Sequence, residues 1–149
     1  MSCTNKNLGF TIVESLIVMS ILGIISVAGI YKVINSQEKG ALNDAQAAVV
    51  RLTESARNSA ASGEGTQEHG IYIEQNGITI FEGNIAGGTK YFFHPAVESN
   101  QTDTEITFSR YSGSATTSES FPVTIRLSGN RGGESIIEIN SEGAITVTE

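Results

Sequence analysis

Hydrophobic and polar positions change rhythm twice along this chain. From Phe10 to Tyr31 the sole charged side chain is Glu14, and apolar character returns briefly at Val33 and Ile34, just past Lys32. A helix of that length rises about 33 Å, enough to span the hydrocarbon core of a bilayer. Beyond it, apolar residues recur mostly three and four apart, at Ala41, Leu42, Ala45, Ala48, Val49, Leu52, Ala56 and Ala60, while Lys39, Asn43, Asp44, Arg51, Glu54 and Arg57 fall mostly elsewhere. This spacing predicts a half-solvated amphipathic helix that Gly63 and Gly65 bring to an end. Gly40 is its weak point, at about 1 kcal/mol relative to Ala. If helix is continuous from near Phe10 to Ser62, it approaches ~80 Å in length.

After Gly65 the period falls to two. "GIYIEQNGITIFEG" predicts a hairpin, with Ile71 and Ile73 before the turn, Ile78 and Ile80 after it, and Asn76-Gly77 supplying the positive φ angles of a type I′ turn. Further strands are expected in "TKYFFH" from Thr89, "EITFSRY" from Glu105, "PVTIRLS" from Pro122, "ESIIEIN" from Glu134 and "AITVT" from Ala144. The last two flank a short turn at Ser141-Glu142-Gly143. The expected fold class is α+β: a long N-terminal helix, transmembrane in its first half and amphipathic in its second, packed on a small antiparallel β domain. The corresponding divisions are a leader at 1–9, a membrane and assembly helix at 10–34, its amphipathic continuation at 35–62, and a β-rich domain at 66–149.

Composition narrows the function. The 149 residues leave room for about one domain beside an anchor. The formal charge of −7, from 16 acidic and 9 basic residues, repels phosphate backbones, so generic nucleic-acid binding is disfavoured. Cys3 is the only cysteine, which excludes an intrachain disulfide. His69 and His94 lack the spacing of a zinc site and read as solvated loop or strand-end residues. No P-loop, no Gly-x-Ser-x-Gly elbow and no calcium-loop pattern occurs, so neither an enzyme nor a cofactor is expected.

One residue conflicts with the apolar run around it. A lone charged carboxylate at membrane depth costs a few kcal/mol, so Glu14 should find a counter-charge. A secretory signal would use Lys6 and the amino terminus as its positive region and Ser26-Val27-Ala28 as its cleavage site. Its apolar core is usually only about 7–15 residues, and it gains nothing from an acid near the start. Snorkelling of Glu14 to the headgroups is the other plain account.

"LGFTIVESLIVMSILGII" resembles the processing and assembly signature of type IV pilin-like proteins, pseudopilins included. It has a short polar leader ending in Gly9, an aromatic Phe10, Thr11, a glutamate one helical turn beyond Phe10, and a long apolar run. The resemblance implies that a membrane-embedded aspartyl prepilin peptidase cuts after Gly9 and methylates the new amine of Phe10. It also implies that Glu14 meets that amine on a neighbouring subunit. The implied partners are the peptidase, other pilin or pseudopilin subunits, an inner-membrane assembly platform, and membrane lipid before assembly. The implied location is the cytoplasmic membrane, as a single-pass protein, and then an extracytoplasmic filament.

The stretches "SARNSAASGEG" and "GGESIIEINSEGAITV" are similar to the pseudopilin H and minor pilin T group, which has two small sheets. The tail "EGAITVTE" lacks the basic residues of that group's DNA-binding members, which argues against DNA uptake by direct contact. Two other classes stay open: a secreted or singly anchored β-domain binding module that does not polymerise, and a hydrolase on a stalk.

Overall fold

A computed structural model describes residues 11–148, with side chains described throughout that range except at 28, 29, 31–33 and 35. Helix α1 runs Ile12–Ser62 without a break at Gly40. The chain divides into two compact units, Met1–Ser36 and Gln37–Glu149. In the first, every described apolar side chain of α1 from Ile12 to Val27 is exposed.

In the second unit, the helix buries Leu42, Ala45, Ala48, Val49, Thr53, Ala56 and Ala60 along one face. Six of these are positions that the spacing of apolar residues assigns to the core. Thr53 is the addition, and its burial costs little because its hydroxyl donates to the Val49 carbonyl at 2.7 Å. Ala41 and Leu52 are half-buried at the margin of the same core.

Nine strands follow among the described residues. They are β1 (His69–Glu74), β2 (Gly77–Glu82), β3 (Thr89–Phe92), β4 (Val97–Ser99), β5 (Thr104–Phe108), β6 (Ala115–Thr117), β7 (Val123–Gly129), β8 (Glu134–Ile139) and β9 (Ile145–Thr148). They form two antiparallel sheets in the orders β3-β2-β1-β5-β6 and β4-β7-β8-β9. Ile106 and Phe108 of β5, Val123, Ile125 and Leu127 of β7, and Ile137 and Ile139 of β8 alternate inward, in one cluster with the helix face. The fold is therefore α+β, a long N-terminal helix with a two-sheet antiparallel domain.

The first hairpin has the expected strands but a different turn. Gln75 and Asn76 form the two-residue connection, neither has positive φ, and Gly77 is already the first residue of β2, opposite Glu74. The type I′ expectation at Asn76-Gly77 is thus corrected. Gly77 serves close approach instead: a Cβ there would lie 2.5 Å from the Tyr91 carbonyl oxygen of β3. A side chain at this position would push β3 off the sheet.

The helix ends as its glycine predicts. Gly63 has φ +70°, its N–H donates to Ala60 O, and the Glu64 N–H donates to Ser59 O, the paired bonds of a Schellman motif. Arg110 then donates from Nη2 to the carbonyls of Gly63 at 2.9 Å and Gly65 at 2.8 Å, placing a cation against the negative end of the helix. Arg57 reaches from the helix to the carbonyls of Gly113 and Glu142, which ties the last β-turn to α1. Near the other end of this unit, Glu38 accepts from the Arg131 N–H at 2.5 Å and so holds the β7–β8 turn.

Candidate functional site

The residues singled out by the sequence lie at the start of α1. Gly9 and Phe10 lie outside the described residues. Thr11 is the residue before the first helical position, and its Oγ1 accepts a hydrogen bond from the Glu14 N–H at 3.2 Å. The Thr11 carbonyl accepts from the Ser15 N–H at 3.1 Å, the first bond of the helical ladder. "TIVE" therefore has the Ser/Thr-x-x-Glu form of a capping box, with the half that runs from Thr11 to the third helical amide in place. That signal was present in the sequence and is independent of the membrane pattern.

Glu14 sits in the first turn, where an acid is favoured by the exposed amides and the helix dipole. Its side chain is exposed, and among the described residues it forms no hydrogen bond or ion pair through its carboxylate. Around it the surface is apolar. Ser20 and Ser26 turn their hydroxyls back to the carbonyls of Leu16 at 2.8 Å and Leu22 at 2.7 Å, so neither presents a free donor outward. Gly23 leaves open space where a side chain would stand. The stretch thus offers an unpaired acid at one end of a largely apolar surface on which Ser20 and Ser26 turn their hydroxyls inward.

Among the described residues no helix is long and apolar enough to cross a membrane.

The globular unit has no comparable constellation. Among the described residues, no group of three or more His, Cys, Asp or Glu side chains converges as a metal site would require. His94 is exposed and its Nδ1 accepts from the Ala96 N–H. His69 departs from expectation: it opens β1 but is buried, with Nε2 2.8 Å from the Glu64 carbonyl oxygen. It closes the loop between helix and sheet, a role that its place in the sequence could not reveal.

Among the described residues one phenol is perturbed. Tyr72 donates to Asp103 Oδ1 at 2.6 Å, and this bond, aided by the negative charges of Asp103, Glu74 and Glu105, pushes its pKa from 10.0 up to about 12. Because the folded value is raised, the bond's stabilisation is complete below pH 10.0 and is lost as pH climbs through about 12. Phenolate absorbance should therefore show a late-titrating tyrosine that Tyr72→Phe removes. Loss of a component titrating at the ordinary value would contradict this assignment.

Residues 4–30 match the prokaryotic N-terminal methylation motif. The match spans residues 4–9, the Gly9–Phe10 junction, Glu14 and most of the apolar stretch, and it is a type IV pilin-like signature. It supports a structural subunit of the type IV pilin kind in general, and it covers none of the β domain. No curated protein and no solved structure matches the chain.

Proposed function

We propose that this chain is a non-enzymatic structural subunit, a minor pilin or pseudopilin, of a type IV pilus-like or type II secretion filament. It is made as a precursor held in the cytoplasmic membrane by residues 10–34. Prepilin peptidase cuts it after Gly9 and methylates Phe10, and the mature chain enters an extracytoplasmic filament through α1. The observation that carries this reading is the unpaired, exposed Glu14 within the matched motif, one turn beyond the Phe10 position.

The chemistry is coherent at each step. Glycine before the scissile bond presents bare backbone to a protease at the membrane surface. Cutting releases an ammonium at a helix start that already carries partial positive charge, and methylation keeps that charge. Pairing of that ammonium with Glu14 of the neighbouring copy neutralises both groups and sets the axial stagger of adjacent helices. The exposed apolar side chains from Ile12 to Val27 lose their contact with water, first to lipid and then to other helices.

Gly9→Leu tests the first step. The variant should remain as full-length precursor in the membrane fraction, separated from the mature form of the parent chain by the mass of the leader. Normal trimming of Gly9→Leu would remove the peptidase from this account.

A further inference from the structure

Each of the two sheets has two edges, and the four edges are not equivalent. On β4, the amides that point away from β7 are bonded, Val97 N–H to His94 O and Ser99 N–H to Gln75 O. On β6, the outward Ala115 N–H donates to Ser141 O. Loops of the chain thus close β4 along its length and β6 at Ala115, leaving only the terminal Thr117 of β6 outward.

The other two are open. The Phe93 N–H donates to Asn76 O on the β2 side, so by the alternation of an antiparallel ladder the N–H and C=O groups of Lys90 and Phe92 point away from β2. The Asn140 N–H donates to Ala144 O on the β8–β9 side, so those of Ile145 and Val147 point away from β8. Among the described residues, none of these outward groups has a partner. Beside the end of β3 lies an open groove of about 440 Å³, lined by Gly40, Ala41, Tyr91 and Phe92 among others, so the helix does not cover that edge.

Side chains mark the same two edges. Among the described residues from 37 onward, three large apolar or aromatic side chains are exposed: Phe92 at 65%, Tyr111 at 75% and Val147 at 38%. Two of the three sit on the open strands. Each strand is four residues long, Thr89–Phe92 and Ile145–Thr148.

We propose that β3 of one copy pairs antiparallel with β9 of the next, joining the five-stranded sheet of the first to the four-stranded sheet of the second. In full overlap, Lys90 meets Val147 and Phe92 meets Ile145 as hydrogen-bonded pairs, with Thr89 opposite Thr148 and Tyr91 opposite Thr146 between them. This register satisfies every outward backbone group. It also sets the Phe92 ring on Ile145 and the Lys90 stem on Val147, covering apolar surface that is otherwise wet. The two edges differ, so each copy offers one of each and the contact propagates head to tail instead of closing as a dimer. It rests on the filament reading only for the local concentration of copies that so short a ladder needs.

Thiol cross-linking in the full chain tests the register. Thr89 and Thr148 are exposed and form a non-hydrogen-bonded pair, whose Cα atoms lie about 4.5 Å apart, within disulfide reach. In a Cys3→Ser chain assembled in its host, Thr89→Cys with Thr148→Cys should give a ladder of dimers, trimers and larger species on mild oxidation. Either single variant should stay monomeric. Thr89→Cys with Thr146→Cys, two residues out of register, should give no ladder. Adding Val147→Pro to the productive pair removes one outward N–H that the fold itself leaves unused, and should abolish the ladder.

Filaments visible by electron microscopy without the ladder, or equal ladders from both cysteine pairs, would overturn the edge pairing while leaving the filament reading intact. A ladder without filaments would keep the pairing and overturn the filament reading. Absence of both would overturn both.

Discussion

Replacing Glu14 with Gln should leave the chain inserted and trimmed but absent from filaments. The choice of Gln separates two roles that the first turn of α1 allows. Glutamine serves a capping box as glutamate does, so helix initiation around Thr11 is retained. What it lacks is the negative charge. If Glu14 matters only for starting the helix, Glu14→Gln should assemble like the parent and Glu14→Val should be the weaker of the two. If it pairs with the ammonium of a neighbour, both should fail alike, because a charge-assisted bond is roughly twice as strong as a neutral one and the unmatched ammonium would be left in an apolar setting. Filament counts by electron microscopy, with precursor and mature forms followed by gel, measure this directly.

The largest effect on folding is expected at Phe108. Its ring is fully buried at the end of β5, where Phe108 pairs with His69 of β1 and Ala115 of β6 in the core that includes Ala56 and Ala60 of the helix. Phe108→Ala removes a fully buried ring from the shared core and leaves a cavity there. The loss should be about 3–5 kcal/mol, against a total stability for such a domain of about 5–15 kcal/mol. Urea unfolding of the full chain in detergent, followed by circular dichroism, should show the transition moved well toward lower denaturant. Phe92→Ala is the internal comparison: it removes an equal ring that is 65% exposed, and its transition should move little. Equal shifts for the two variants would mean that the core is not organised around β5.

Much of this architecture was legible because periodicity is a physical consequence of burial on one face. The helix face from Leu42 to Ala60 and the alternation in β1, β2, β5, β7 and β8 could be read directly. β4 and β6 could not, because three-residue strands such as Val97–Ser99 and Ala115–Thr117 are too short to show a period. The turn after β1 was misread because an Asn-Gly pair satisfies two demands alike. Gly77 is explained by the carbonyl of Tyr91 on a strand that begins twelve residues later, not by its own φ.

Long-range polar contacts were equally invisible. Arg110 on the end of α1 and His69 on the Glu64 carbonyl depend on how the sheets return to the helix. At the candidate site the position of Glu14 was legible from its conflict with the apolar run. The roles of Gly9 and Phe10 came from resemblance alone, and the matched motif supports that resemblance without extending to the pseudopilin H and minor pilin T likeness of the β domain.

The amino terminus of the mature protein, determined by mass spectrometry on material sheared from cells, bears most directly on the whole account. The expected chain begins at Phe10 with a methyl group on its amine, the cation that Glu14 of the next copy awaits. A chain beginning at Gly29, or one still carrying Met1 through Gly9 within intact filaments, would contradict it.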